Sequence, residues 1–127
     1  MDKNVKNFMK RIGEMPDFDR VKFVILFGSQ ANGKANSMSD YDFAVYYDGD
    51  EKQRFDFQIG MSSDENFDVK IFQDLPLYVQ KEVLKGKVVY CKDVDFVYDV
   101  AYEIIKRFED FKKYYYDYVS MRRLKVK

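Results

Sequence analysis

The chain contains no histidine. That absence excludes Ser-His-Asp and Cys-His nucleophilic catalysis, and every histidine-based metal centre with them. There is a single cysteine, Cys91, so an internal disulfide or a zinc site is excluded too. Cys91 closes a strand-like apolar run, which marks it as a buried, inert thiol. Neither charge is in excess: 22 Lys and Arg balance 22 Asp and Glu. A dedicated nucleic-acid binder carries a basic surplus, so no general attraction to nucleic acid is expected, although a local basic patch stays open. No membrane-length apolar run and no signal peptide stand out, so no membrane partner is expected and a cytoplasmic location is the default. What is present is 46 % hydrophobic and 18 % aromatic over 127 residues. That is far from a disordered composition and suits one domain, 1–127, with a real core.

The most informative stretch runs from Gly28 to Asp42. The apolar run Phe23-Val24-Ile25-Leu26-Phe27 leads into it, and Phe43-Ala44-Val45-Tyr46-Tyr47 follows. Short runs rich in branched and aromatic residues read as buried strands. A strand therefore delivers a Gly-Ser turn, a polar loop follows, and a second strand opens with two aspartates. Side chains alternate along a strand, so Asp40 and Asp42 share a face and Tyr41 takes the other. Paired carboxylates repel unless a cation lies between them, and a hard divalent ion such as Mg²⁺ takes carboxylate oxygens. A Gly-Ser turn at a strand-to-helix junction offers backbone N–H groups and a hydroxyl, which suit a phosphate. Together these residues look like a nucleoside triphosphate site: Gly28 and Ser29 on phosphate oxygens, Asp40 and Asp42 on Mg²⁺. Two metals would clamp both oxygens of an in-line phosphoryl transfer.

Such a site needs a third carboxylate. Phe67-Asp68-Val69-Lys70-Ile71-Phe72 alternates apolar and polar as a half-buried strand does, and Asp is uncommon in strands. Asp68 is the candidate, because Asp56, Asp64 and Asp74 fall in segments read as helix, loop and cap. Lys70 shares its face and is read first as a solvated lysine or ion-pair partner, with phosphate contact as the alternative. Each piece alone is ordinary: Gly28-Ser29 is a strand exit and Ser39-Asp40 a turn. The combination, with ten residues between Ser29 and Asp40 and a strand on either side, favours chemistry.

Elsewhere, Val5, Phe8, Met9 and Ile12 predict a helix over 2–14, and Pro16 centres a turn over 15–19. The first strand covers about 21–27, residues 29–32 form a short helix closed by Gly33, 36–39 are loop, and the second strand covers about 40–47. Asp48-Gly49-Asp50 turns the chain, in either direction. In 51–60, Phe55, Phe57 and Ile59 alternate like a strand while Glu51 to Arg54 favour a helix; helix is preferred, with a polar loop over 61–66. Asp74 and Pro76 open a helix that Gly86 stops, Val88 to Cys91 form a fourth strand, and Asp93 caps a final helix. Its apolar spacing holds for about seven turns, to Tyr118, and the basic tail 121–127 is expected to fray. Tyr114, Tyr115, Tyr116 and Tyr118 cannot all face a core, so this end is expected at a homo-oligomer or partner contact. The fold class is α/β (α+β): a small mixed sheet flanked by helices, with a long C-terminal helix.

The spacing of Gly28-Ser29 and Asp40-Tyr41-Asp42 resembles the signature of the DNA polymerase β-like nucleotidyltransferase superfamily. Length and layout are similar to its minimal nucleotidyltransferase (MNT) family. Gln30-Ala31-Asn32-Gly33 stands where that family often has x-Ala-Arg-Gly. Ser39-Asp40-Tyr41-Asp42-Phe43-Ala44-Val45 resembles its Ser-Asp-x-Asp-Leu-Ala-Val, and Phe67-Asp68-Val69 its third-aspartate strand. Leu84 to Tyr90 and the aromatic last helix are similar as well. The departure is Asn32 in place of arginine, which leaves the metal ligands untouched.

The resemblance implies a Mg²⁺-dependent protein adenylyltransferase, a type VII antitoxin-like half of a pair with a small helical HEPN-domain toxin. It would transfer AMP from ATP to a toxin tyrosine. The site would be Asp40, Asp42 and Asp68 as catalytic and metal-binding residues, with Gly28 and Ser29 on the nucleotide. The alternatives are a nucleotidyltransferase-like module that silences its partner by contact alone, and transfer to a small molecule or RNA. Balanced charge and the lack of an added substrate domain count against the last.

Overall fold

The computed structural model describes residues 2–28, 41–62 and 67–126. The predicted helix at 29–32 with its Gly33 stop, the loop at 36–39, Ser29, Asp40 and residues 63–66 of the polar loop lie outside them.

Helix α1 covers Lys3–Gly13. Asp2 caps it, accepting from the Asn4 N–H at 2.7 Å, and Lys10 and Arg11 complement the dipole in its last turn. Val5, Phe8 and Ile12 are buried on one stripe. A short 3₁₀ turn at Phe18–Arg20 follows Pro16 and leads into strand β1, Val21–Phe27. Strand β2 is Tyr41–Tyr47 and helix α2 is Glu51–Met61. A capping box decides the ambiguous segment: the Asp50 carboxylate accepts from the Gln53 N–H at 2.8 Å, and the Gln53 side chain accepts from the Asp50 N–H at 2.9 Å. The alternation of Phe55, Phe57 and Ile59 is then incidental; Phe57 is buried while Phe55 and Ile59 are exposed.

Strand β3, Phe67–Ile71, runs into a 3₁₀ turn at Phe72–Asp74. Pro76 stands at the N-cap of helix α3, Leu77–Val83. Strand β4, Lys87–Cys91, precedes helix α4, Val94–Val126. Asp93 caps α4 by accepting from the Asp95 N–H at 3.0 Å. The helix runs past the expected fraying point, since 121–126 contain no Gly or Pro and the basic residues there favour a helix C-terminus.

The sheet order is β3-β2-β1-β4. Strand β1 pairs antiparallel with β2 and with β4, while β2 pairs parallel with β3. The Asp48–Asp50 turn thus starts a crossover through α2. One sheet face carries Val24, Leu26, Phe43, Val45, Val69 and Ile71 and packs on α1 and α2. The Phe8 ring stacks on Phe43 with centroids 3.8 Å apart. The other face carries Phe23, Ile25 and Ala44 and packs on α3 and α4, with Val83 and Ile104 buried. Cys91 is only half-buried, against the expectation, because it ends the edge strand β4. Tyr114, Tyr115 and Tyr116 are exposed. Among the described residues no helix is long and apolar enough to cross a membrane.

Edge strand β3 is closed by side chains. Gln58 of α2 donates to the Val69 carbonyl at 2.9 Å. Gln73 receives the Tyr47 N–H at 3.2 Å and donates to the Tyr47 carbonyl, two residues past the last β2–β3 pair, Val45 with Ile71. The Tyr47 hydroxyl donates to Asp17 at 2.5 Å, tying the 15–19 turn to β2. Burial, that hydrogen bond and the Asp17 charge push the Tyr47 phenol up to about 12. A raised phenol pKa means the unfolded chain loses its proton first, so stability falls as pH rises from about 10 to about 12. Denaturant midpoints measured across that window should drop more steeply for the wild type than for Tyr47→Phe. Parallel curves would show that Tyr47 titrates alike in both states.

Candidate active site

The β2–β3 register pairs Asp42 with Asp68. In a parallel pair, register partners lie on adjacent strands about 4.8 Å apart with side chains on the same face. Phe67, Val69 and Ile71 fill the α1–α2 side, so Asp68 and Lys70 take the α3–α4 side. Asp42 follows by alternation with Phe43 and Val45. Phe27, the last residue of β1, pairs with Asp42 across the other edge of β2. The two carboxylates therefore sit where β1 ends and β2 and β3 begin.

Gly28 completes this corner. Its φ is +76°, and a Cβ built there would lie 2.6 Å from Asp42 Oδ2. Only glycine lets the chain turn away while the carboxylate rests against its backbone. Ser29 follows directly, outside the described residues, as does Asp40. Among the described residues no three Asp, Glu or Cys side chains gather as a metal-binding group. Those brought together are Gly28, Asp42 and Asp68. Lys70 Nζ stands 3.7 Å from Asp68 Oδ1, both half-exposed, so the ion-pair reading of Lys70 holds and the pair is weak.

Tyr41, between the two aspartates of the motif, points to the opposite face. Its hydroxyl donates to Asp2 at 2.8 Å, while the other Asp2 oxygen caps α1. The Tyr41 hydrogen bond, followed by the Asn4 N–H, holds the Asp2 carboxyl below the usual carboxylate range. The start of β2 is thus braced from behind by the N-terminal cap. Sequence reasoning missed this contact, because nothing in the spacing of Asp2 and Tyr41 marks them as partners.

Paired carboxylates in register are hard oxygen donors, and Gly28 lets the Asp42 carboxylate lie close against the turn that follows β1. That donor set fits Mg²⁺ and a phosphate-bearing ligand. A model of the polymerase β nucleotidyltransferase domain matches residues 10–95, which run from the last turn of α1 to the start of α4 and include Gly28, Asp42 and Asp68. The chain belongs to the polymerase β-type nucleotidyltransferase family. A Methanocaldococcus jannaschii protein, provisionally named a protein adenylyltransferase, is 27 % identical over 95 residues, 74 % of this chain and 69 % of that protein. The nucleotidyltransferase fold is shared with chains of solved toxin–antitoxin structures. A mutant MntA–HpeT pair gives a TM-score of 0.70 at 17 % identity, covering 87 % of this chain and 90 % of that one. A toxin–antitoxin structure with AMP-PNP gives 0.67 at 18 % identity, covering 85 % and 90 %. A tri-AMPylated Shewanella oneidensis HEPN toxin with its MNT antitoxin gives 0.62 at 18 % identity, covering 89 % and 91 %.

The geometry of this nucleotidyltransferase makes Gly28 the tightest position in the site. Gly28→Ala should cost about 1–2 kcal/mol from the positive φ alone, plus displacement of Asp42. Gly13→Ala is the control, since a Cβ there meets nothing within 4 Å. Chemical denaturation checks both, and equal stability of the two variants would contradict the crowding at Gly28.

Proposed function

We propose that this nucleotidyltransferase is an antitoxin that transfers AMP from ATP to a tyrosine hydroxyl of a small helical HEPN-type toxin. The observation that carries the reading is the in-register pair Asp42 and Asp68 above Gly28, inside the region matched by the family. Support for the acceptor comes from the adenylyltransferase relative and from the fold shared with a chain of one complex between an AMPylated HEPN toxin and an MNT antitoxin. The protein acts as one domain in the cytoplasm.

In this reading Asp42 and Asp68, with Asp40, hold Mg²⁺. When bound, the ion offsets charge on the triphosphate and lowers the pKa of a hydroxyl beside it. Gly28 presents its backbone to the phosphates and Ser29 its hydroxyl. Asp68 would orient the acceptor oxygen for attack on the α-phosphorus; the phenolic proton passes to water and pyrophosphate leaves on the opposite side. A phenol suits a site without a histidine base, because its ordinary pKa of about 10 lies closer to neutrality than an alcohol's. Asp2 and Tyr41 hold the start of β2 in place.

The test is to express the product of the neighbouring reading frame as the candidate toxin, incubate it with the protein, ATP and Mg²⁺, and weigh it. Its mass should rise by whole adenylate units. Asp42→Asn keeps the side-chain size but removes one charge, and should slow the gain by about 10²-fold or more. A toxin silenced with unchanged mass would favour inhibition by contact alone.

A further inference from the structure

A cavity of about 290 Å³ opens on the α3–α4 side of the sheet. Asp42, Ala44 and Tyr46 alternate onto that side along β2, as Asp68 and Lys70 do along β3. Tyr46 lines the cavity and lies four residues beyond Asp42, about 13 Å at ~3.3 Å per residue. Lys70, which stands between on β3, is half-exposed, so the face is open to solvent there. Phe72, with Val100 and Ile104 of α4, completes an apolar lining.

Gln80 of α3 supplies the deciding group. It lines the cavity and is only 9 % exposed. Its Nε2 donates to the Phe72 carbonyl at 3.0 Å. Its Oε1 accepts no hydrogen bond among the described residues, yet none of their fully buried side-chain oxygens or nitrogens is left unpaired. The oxygen is therefore reachable, and the cavity is the opening that reaches it. The amide cannot turn over, because that would set Oε1 against the Phe72 carbonyl. An apolar slot with one fixed acceptor selects a flat ring that carries an amino group. On the rim, Asp99, Glu103 and Arg107 recur every four residues along α4, and none has an ion-pair partner among the described residues. Two acids against one base disfavour a phosphate here, so a nucleotide would enter base first.

We infer that this cavity is the base subsite of the nucleotide, where Gln80 selects a 6-amino purine over a 6-oxo purine by accepting from its exocyclic amine. The inference rests on the function proposed above, which sets the phosphates at the corner of Gly28, Asp42 and Asp68. A nucleoside monophosphate is long enough to span from that corner to Tyr46. Adenine carries its amine beside ring nitrogens that accept, which suits Oε1 with Arg107 nearby. A 6-oxo purine would set its carbonyl against Oε1, two acceptors with no proton between them.

Titration calorimetry of the full chain with ATP, ITP and inorganic tripolyphosphate, each with Mg²⁺, tests this. ITP differs from ATP only in carrying a 6-carbonyl for the amine. ATP should bind about tenfold or more tighter than ITP. Gln80→Met keeps the length of the side chain and removes the acceptor. It should bring ATP down to the level of ITP and leave tripolyphosphate binding unchanged. Val100→Trp fills the cavity with Gln80 in place, and carries the test should Gln80→Met fail to fold. It should weaken ATP binding and spare tripolyphosphate. Equal affinity of the wild type for ATP and ITP would overturn the inference. So would an ATP preference that survives Gln80→Met, ATP binding untouched by Val100→Trp, or no nucleotide binding at all. Loss of candidate-toxin binding in Val100→Trp with ATP binding intact would overturn it in favour of a partner side chain in the cavity. An ATP preference that Gln80→Met erases, with the candidate toxin's mass unchanged, would support the base subsite and overturn AMP transfer alone. Transfer of AMP and IMP at equal rates from equal, limiting ATP and ITP would sustain nucleotide transfer and overturn the base subsite.

Discussion

The register between β2 and β3 is the constraint on which the site depends. It sets Asp42 beside Asp68, two carboxylates about one strand spacing apart on a common face. Like charges so close oppose the fold unless the rest of the chain fixes the pairing. A slip of one residue would turn Asp68 toward the α1–α2 core and Val69 toward the site. What prevents it is apolar: Phe67, Val69 and Ile71 occupy the same layer as Phe8, Phe43 and Phe57. The repulsive pair is held by packing on the opposite face of its own strands.

The ends of those strands are anchored by polar contacts that packing does not supply. Tyr41 is tied to Asp2 in front, and Gln73 bonds the backbone of Tyr47 behind. Arg54 of α2 joins Asp74 through bonds of 2.9 to 3.1 Å and reaches the Gly49 carbonyl at 2.9 Å. The crossover helix is thereby clasped to the C-terminal ends of β2 and β3. Such bidentate pairing positions groups more than it stabilises them, because the partners are partly exposed. These contacts leave few ways for Asp42 and Asp68 to move apart without breaking a named bond.

Much of this was legible in the sequence because it follows from periodicity. Strand alternation put Asp68 opposite Val69, and helical spacing gave α1 and the buried stripe of α4. The α2 segment was ambiguous because Phe55, Phe57 and Ile59 fit both periods, and the deciding capping box involves only Asp50 and Gln53. Strand direction after Asp48 was not legible: it depends on α2 packing over the sheet, which is tertiary. Nor was the Asp2–Tyr41 bond, whose partners lie 39 residues apart. The register of β2 with β3 belongs to the same class, since alternation fixes faces and not which residues stand side by side.

The two halves of α4 differ in what lies beneath them. Along 94–108 its apolar seam is consumed by the sheet and by Lys81, so that stripe is structural. Beyond Phe108 the seam continues through Phe111 and Tyr115 with no sheet beneath it. Solvation alone would favour charged residues there, and charges do surround the two rings. Phe111 and Tyr115 stand at heptad spacing, stacked and exposed, which is a local inconsistency between sequence pattern and burial. The corner at Gly28 is the other such place: a positive φ, crowded carboxylates and a glycine that no side chain can replace. Both departures from ordinary folding economy lie outside the two packed layers, one at the rim of the sheet and one beyond its edge.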